Sequence, residues 1–238
     1  MVRRRPLLDE VLRRFPDLLD AEKAIRSGRV TVAGSVRTNP ASQVSPSDPI
    51  RVAPERTSRG RAKLQAALDA FDVQVAGRVA LDLGASTGGF SSVLLDAGAT
   101  RVYAVDVGFG QLLGSLRMDS RVVNLERTNL AELSTDLVPE EVGVVTADLS
   151  YVALAEALPQ LPAELFRPDA ELIVLVKPMF ELHLSTPPTE PEELASAVQQ
   201  AEEGARAAGW EVCDVIESPV TGAHGAVEFL LFARRARQ

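Results

Sequence analysis

A carboxylate and three glycines stand close together in residues 82–90, Asp-Leu-Gly-Ala-Ser-Thr-Gly-Gly-Phe. The segment follows the apolar run 78–81 and precedes a helix-like stretch, which predicts a strand, a small-residue turn and a helix start. Such a turn brings the backbone close to a nucleotide-like ligand. Its spacing, acid-x-Gly-x-x-x-Gly-Gly, differs from the Gly-x-Gly-x-x-Gly of dinucleotide sites. Asp82 at the strand end would repel a phosphate and attract a cation, such as the sulfonium of S-adenosylmethionine.

A second acid strengthens this interpretation. Asp106 ends the apolar run 102–105 and lies 22 positions after Gly84. In βαβ nucleotide folds, about 20 positions separate the glycine turn from the acid that holds the ribose hydroxyls. Each feature alone has a plainer explanation, because glycine turns also pack helices on strands and Asp often follows a strand. Together they predict an adenosine-containing cofactor.

The elements that must position these residues follow from the apolar runs. The predicted strands are 78–81, 102–105, 121–125, 142–147, 171–176 and 226–232. The predicted helices include 63–70, a segment near 152–166 and another near 190–208. This alternation predicts an α/β fold, with a mostly parallel sheet covered by helices on both faces. Ligands of such sheets bind at the carboxyl ends of the strands, where we expect Asp82, Asp106, Asp148 and Lys177.

Length and composition limit the possible classes of protein. The 238 residues, 46% of them hydrophobic, are enough for one good-sized domain with a small satellite. The chain has no apolar run of about 18 residues, and its basic start lacks the apolar stretch of a signal peptide. The single cysteine, Cys213, excludes an intramolecular disulfide and predicts a cytoplasmic protein. With two histidines besides, a zinc site is not expected.

The N-terminal part is basic and has its own pattern. Residues 1–63 contain 14 Lys and Arg against 7 Asp and Glu, whereas residues 64–238 contain 11 against 26. A basic module on an acidic domain suggests an enzyme guided to nucleic acid, the alternative being an arginine-rich solvated surface. We predict two short helices broken near Pro16, a hairpin over 29–36 with its turn at Ala33-Gly34, and a second short strand pair around 48–52.

This N-terminal pattern resembles the S-four domain, a small α+β RNA-binding module. The resemblance implies RNA contacts at Lys23, Arg26, Arg29 and Arg37. The predicted organisation is an S-four-like domain at 1–53, a linker at 54–62 and a second domain at 63–238.

The second domain carries a specific set of motifs. Six segments occur in the order seen in the TlyA (hemolysin A-like) family: 82–90, Ala-Val-Asp-Val-Gly at 104–108, Glu-Arg-Thr-Asn at 126–129, Ala-Asp-Leu-Ser at 147–150, Val-Lys-Pro-Met-Phe-Glu at 176–181 and Gly-Ala-Val-Glu-Phe at 225–229. The resemblance covers nearly the whole chain. It implies an FtsJ-type, Rossmann-like class I methyltransferase domain that uses S-adenosyl-L-methionine to methylate a ribose 2′-oxygen of ribosomal RNA, with cytidine as the target.

The same resemblance implies site residues. The Lys-Asp-Lys-Glu tetrad of the family falls on Lys63, Asp148, Lys177 and Glu228. Lys177 would orient or deprotonate the acceptor hydroxyl, while Asp148 and Glu228 set its charge and position. Lys63 would bind phosphate or complete the network. The implied cofactor-binding residues are Asp82, Gly84, Ala85, Ser86, Thr87, Gly88, Gly89, Phe90, Asp106, Val107, Asn129 and Asp148. The sulfonium drives the reaction, so no metal is expected.

Two departures from the family pattern leave the acceptor open. The loop 182–191 lacks the glycine-rich, Val-Val-Arg-Asp-Pro-containing sequence of the family, and Ala226 stands where asparagine is usual. The expected partners are ribosomal RNA or ribosomal subunits. The alternatives are a methyltransferase of a small molecule or natural product, and a non-catalytic RNA-binding homologue. No apolar or amphipathic segment supports insertion into a bilayer, and the sequence does not determine the oligomeric state.

Overall fold

The computed structural model describes residues 4–16, 18, 20–26, 28–52 and 59–236. These residues fall into two compact units, which divide between Thr57 and Ser58. Most of the predicted linker, 54–58, lies outside the described residues. The rest of the predicted linker, residues 59–62, is helical. The first helix of the second unit begins at Arg59, whereas we predicted a helix from Lys63.

The first unit packs two helices on small antiparallel sheets. In chain order its elements are β1 (Arg5–Pro6), α1 (Leu7–Arg14), α2 (Ala21–Arg26), β2 (Val30–Val32), β3 (Ser35–Val36), β4 (Gln43–Val44) and β5 (Ile50–Val52). The two helices and the hairpin are confirmed, with Ala33 and Gly34 in left-handed conformations at its turn. The strand pair predicted around 48–52 is wrong. That segment is one strand, β5, which pairs with β2, while β1 pairs with β4.

The second unit alternates strands and helices. Its elements are α3 (Arg59–Phe71), β6 (Val79–Leu83), α4 (Gly89–Asp96), β7 (Arg101–Asp106), α5 (Gly114–Arg117), β8 (Val122–Glu126), β9 (Val142–Ala147), α6 (Leu154–Ala157), β10 (Phe166–Val176), α7 (Pro178–Glu181), α8 (Pro191–Ala207), β11 (Trp210–Glu217) and β12 (Phe229–Arg235). Short 3-10 turns lie at Leu130–Glu132, Leu158–Gln160, Ala163–Leu165 and Ala223–Gly225.

Seven strands form one sheet in the order β11-β12-β10-β9-β6-β7-β8. The five strands from β10 to β8 are parallel, and β12 runs antiparallel to both of its neighbours. Alternate residues of β6 enter different cores: Ala80 packs with Leu64 of α3, and Leu81 packs in the core that contains Leu154 and Ala201. Helices therefore cover both faces, and the predicted α/β architecture is confirmed.

Some predicted elements differ in extent. Strand β11 was not predicted. It lies at the edge of the sheet, where the exposed residues Glu211, Asp214 and Glu217 interrupt its apolar sequence. The helix expected near 152–166 is broken into α6 and two 3-10 turns, where Pro159 and Pro162 remove backbone donors. Strand β12 begins at Phe229, so residues 226–228 lie in the loop before it. Across the described residues, no helix has both the length and the apolar character that crossing a membrane requires.

Candidate active site

The turn after β6 has the shape that its glycines allow. The amides of Gly84 and Ala85 donate hydrogen bonds to the carbonyl of Val105, at 2.9 and 3.0 Å. Gly84 has φ +78°, and a Cβ there would lie 2.5 Å from the carbonyl oxygen of Asp148. Gly88 has φ +93° and caps α4, and a Cβ on it would lie 2.0 Å from Leu116. Only glycine allows the close approach of the backbone at these two positions.

Asp82 does not end its strand, contrary to expectation. Strand β6 continues to Leu83, and the Asp82 side chain is fully buried. Its carboxylate accepts hydrogen bonds from the hydroxyls of Ser91, at 2.5 Å, and Thr146, at 2.9 Å. Burial raises the pKa of Asp82 to about 6, and these hydroxyls oppose the rise. Asp82 therefore ties β6 to α4 and β9 beneath the turn, and it lines none of the cavities at this edge.

Asp106 ends β7 as predicted and faces a cavity. Its carboxylate accepts the backbone N–H of Ser86, at 2.8 Å, and of Gly108, at 2.7 Å. A carboxylate offers about four acceptor positions, so these two bonds leave others for the hydroxyls of a ligand. The backbone of the turn thus orients Asp106 without using up its capacity.

Two adjoining cavities lie along this edge of the sheet. The first, which we call the acidic cavity, has a volume of about 260 Å³ and is lined by Asp106, Val107 and Asp148, among others. The second, the turn cavity, measures about 320 Å³ and is lined by the backbone turn from Gly84 to Phe90, without Gly88. Gly84, Ser86 and Asp148 border both cavities. Of the twelve residues predicted to bind cofactor, only Asp82, Gly88 and Asn129 line neither cavity.

The side chain of Asn129 has a local structural role. Its oxygen accepts a hydrogen bond from the N–H of Ala131, at 3.2 Å, and the Glu132 carboxylate accepts the N–H of Asn129, at 2.7 Å. This reciprocal capping box starts the 3-10 turn Leu130–Glu132. The neighbours Thr128 and Leu130, rather than Asn129, line the acidic cavity.

A residue that sequence analysis missed shapes the rim of the acidic cavity. Glu126, at the end of β8, accepts the N–H groups of Gln111 and Leu112, at 2.8 and 3.2 Å, and pairs with Arg117. Burial would raise its pKa, but hydrogen bonds from Asn124 and from the backbone outweigh this and lower the pKa to about 2. The ionised carboxylate thereby holds the loop that follows β7.

The third cavity, which we call the lysine cavity, has a volume of about 660 Å³. Lys63, Lys177, Glu228 and Ser150 line it. Its other walls are mainly apolar, and include Met179, Phe180, Pro187, Pro188 and Val227. The loop that departs from the family pattern thus forms part of this wall.

The four predicted catalytic residues form two pairs. Lys177 Nζ lies 2.6 Å from Asp148 Oδ1. Lys63 makes a buried ion pair with Glu228, which connects α3 to the loop before β12. We expected Glu228 to act on Lys177, but its carboxylate is engaged by Lys63, 165 residues away in the chain. The structure brings the tetrad to one edge of the sheet, with a different partner for Glu228.

Two further residues hold the Lys177 region. Lys177 Nζ donates a hydrogen bond to Ser150 Oγ at 2.6 Å, and Ser150 lines both the acidic and the lysine cavities. Glu181, the last residue of α7, accepts the N–H of Leu154 at 3.2 and 3.3 Å. Burial raises the pKa of Glu181 to about 7 against the opposing bond from Leu154, and nearby Glu156 adds to the rise. Only their places in the motifs 147–150 and 176–181 could have drawn attention to these two residues.

The four basic residues predicted to contact RNA lie in the first unit. Lys23 and Arg26 are exposed and three positions apart on α2, hence on one face of the helix. Arg26 pairs with Glu22 at 2.7 Å. Arg29 is half-buried before β2, and Arg37 is exposed after β3.

The fold and this edge of the sheet define a methyltransferase. The model of the FtsJ-like methyltransferase family matches residues 56–235, so the chain belongs to that family. The model of the S4 domain matches residues 20–50. The resemblance found in the sequence is therefore confirmed.

Individual proteins to which the chain is similar support the same assignment to the family. The chain is 42% identical over 223 residues to the 16S/23S rRNA (cytidine-2′-O)-methyltransferase TlyA of Mycobacterium tuberculosis, covering 90% of this chain and 83% of the relative. It is 36% identical to hemolysin A of Brachyspira hyodysenteriae, over 68% of each chain. A solved structure from Streptococcus thermophilus superposes with a TM-score of 0.72 at 28% identity, covering 99% of this chain and 90% of the other.

Proposed function

We propose that this chain transfers the methyl group of S-adenosylmethionine to the 2′-oxygen of a cytidine ribose in ribosomal RNA. The observation that carries the proposal is that Lys63, Lys177 and Glu228 line one cavity, while Asp148, the partner of Lys177, lines the acidic cavity beside it. The relative from Mycobacterium tuberculosis, whose name states this reaction, supports the substrate.

The acidic and turn cavities suit the cofactor. Asp106 has acceptor positions left for ribose hydroxyls, and exposed Val107 offers an apolar wall for a base. The methionine end of the cofactor would lie along the turn from Gly84 to Gly89, where a side chain on Gly84 would collide with Asp148. Asp148 borders both of these cavities, and Ser150 borders the acidic and the lysine cavities, so these two residues would lie between a bound methyl donor and an acceptor in the lysine cavity.

The lysine cavity suits the acceptor. A ribose hydroxyl is a weak nucleophile, so catalysis depends on holding its oxygen in line with the methyl carbon and removing its proton. Lys177 is the group that we assign to orienting the acceptor oxygen, with Asp148 as its carboxylate partner. The Lys63–Glu228 pair closes the other side of the cavity and positions the loop before β12.

Features of the first unit support the proposal that the substrate is RNA. An S4 domain model matches it, and Lys23 and Arg26 present cations on one exposed helix face. Such cations gain affinity for phosphates by releasing counterions. We propose that Lys23, Arg26, Arg29 and Arg37 bind ribosomal RNA or a ribosomal subunit, which places the activity in the cytoplasm. An S4 domain that ends at residue 53 and the absence of a catalytic metal remain part of this proposal, whereas the second domain includes all of α3, from Arg59.

One observation favours a different acceptor. The lysine cavity is mainly apolar, and Ser185, Thr186, Pro187 and Pro188 of the divergent loop line it, as does Ala226. These walls would also accept a small hydroxylated molecule. The second candidate function is therefore methylation of such an acceptor by the same lysine.

The test measures methyl transfer from labelled S-adenosylmethionine to small subunits, large subunits and free rRNA, followed by mapping of 2′-O-methyl marks. We expect label in a cytidine of rRNA, and its loss in Lys177→Ala. Arg206→Ala serves as a control, because Arg206 pairs with Glu202 on the exposed face of α8. Protein that binds the cofactor yet labels none of these RNAs would refute the proposal and favour the small-molecule acceptor.

A further inference from the structure

We infer that Ser150 is a positioning residue, whose hydroxyl directs Lys177 at the acceptor oxygen. The inference rests on the proposed methyl transfer and adds a residue to the predicted tetrad. It starts from the place of Ser150, which lies two residues after Asp148 and borders both the acidic and the lysine cavities. The Ser150 side chain thus lies where an acceptor in the lysine cavity would approach a methyl donor in the acidic cavity.

The geometry around Lys177 Nζ gives Ser150 its role. Nζ lies 2.6 Å from Asp148 Oδ1 and 2.6 Å from Ser150 Oγ. A lysine ammonium has three N–H groups, which point in different tetrahedral directions. One N–H is donated to Ser150 while the Asp148 carboxylate lies beside Nζ as its ion-pair partner, and Lys177 itself lines the lysine cavity, where another N–H can meet an acceptor oxygen.

Asp148 alone could not achieve this orientation. An ion pair has little directional preference, so with Asp148 alone the Nζ group could turn and shift along the carboxylate. The directed hydrogen bond to Ser150 removes this freedom before the substrate binds. Such preorganisation contributes to catalysis because the entropy of alignment is already paid.

The backbone around Ser150 is anchored well enough for this purpose. The N–H of Asp148 donates to the carbonyl of Leu83 at 2.9 Å, which fixes the end of β9 against β6. On the other side, Glu181 accepts the N–H of Leu154 and connects the segment after Ser150 to the helix that begins after Lys177. The two segments that carry Ser150 and Lys177 are thus joined to each other.

The chemical step balances without further reactants. Lys177 donates a hydrogen bond to the acceptor oxygen, which forms a bond to the methyl carbon while the hydroxyl proton passes to solvent. The carbon–sulfur bond of the bound donor would break with its electron pair left on sulfur, which would change the sulfonium into a neutral thioether. Lys177 keeps its proton, and Ser150 accepts a hydrogen bond throughout without transferring an atom.

The test compares single-turnover methyl transfer to rRNA in the wild type and in Ser150→Ala. Misplacing a reacting group by about 1 Å can cost about 10²-fold in rate, so we expect loss of orientation to slow the step by about tenfold or more. Cofactor affinity, RNA affinity and melting temperature should stay near the wild-type values, which a merely structural defect would change. Ser150→Thr keeps a hydroxyl and should restore most of the rate.

The control is Ser196→Ala, which removes the same hydroxyl from an exposed position on α8. Its rate should match the wild type. Equal rates for Ser150→Ala and the wild type would overturn the role of Ser150, as would a slow Ser150→Thr or a loss of cofactor binding in Ser150→Ala. A wild type that binds cofactor but methylates no rRNA would instead refute the proposed function.

Discussion

Replacing Glu181 by glutamine should change how the stability of the protein depends on pH. The carboxylate is buried, and within the described residues it accepts the backbone N–H of Leu154. Burial raises its pKa from 4.5 to about 7. Between these values the folded state binds a proton that the unfolded state has released, so stability falls as the pH rises.

The size of the effect follows from the shift. Since one pKa unit is about 1.4 kcal/mol, a change from 4.5 to about 7 corresponds to about 3 kcal/mol. Glu181→Gln removes this titration, and the amide oxygen can still accept the N–H of Leu154. The free energy of unfolding of Glu181→Gln, minus that of the wild type, should therefore rise by about 3 kcal/mol from pH 4.5 to above pH 7 and then level off. The amide N–H₂ of glutamine adds a contribution to this difference that does not depend on pH, so it does not alter how the difference changes with pH.

Urea unfolding at several pH values and one salt concentration measures the difference directly. Asp82 also titrates in this range, with a pKa near 6, but its contribution cancels because both proteins contain it. Glu193→Gln, on the exposed face of α8, is the matched control and should show a flat difference. A flat difference for Glu181→Gln as well would refute the argument that burial of this carboxylate disfavours its charged form.

Two more substitutions test the geometry of the edge. Gly84→Ala would place a Cβ 2.5 Å from the carbonyl oxygen of Asp148, at a φ of +78°. We therefore expect cofactor affinity, measured by calorimetry, to fall at least about tenfold, and the protein to lose about 1–3 kcal/mol of stability. Unchanged affinity would show that the turn does not contact the cofactor. Glu228→Ala leaves the Lys63 ammonium buried without its partner and should cost about 3–5 kcal/mol of stability by urea unfolding. The double variant with Lys63→Met should recover part of this loss, and a purely additive double-mutant cycle would contradict the pairing.

Periodicity was enough to predict most of the sheet. Apolar runs bounded by turns located β6, β7, β8 and β9 within one or two residues. Strands β6, β7 and β9 lie inside the sheet and are largely buried, so their sequences are almost continuously hydrophobic. The same reasoning did not predict strand β11. It lies at the edge of the sheet, where exposed acidic residues interrupt the apolar pattern.

The positions of the site residues were predicted with less success than the strands of the sheet. Asp106 was placed from spacing alone, because a strand that ends in an acid must present it at the carboxyl edge. Asp82 was misplaced by one residue, and in a strand a single step moves a side chain to the opposite face. Asn129 had the right position in the chain, but its side chain bonds to its own backbone neighbours, which is a common alternative for asparagine.

The sequence by itself determined the class of fold, the glycine turn, and the order in which the motifs of the methyltransferase family occur along the chain. Those properties depend on local spacing and burial pattern. Only the tertiary structure decided which charges meet. Lys63 pairs with Glu228 across 165 residues, and Lys177 reaches Asp148 and Ser150 across 29 and 27 positions. Such distances are set by how strands are ordered in the sheet, and the sequence does not state that order.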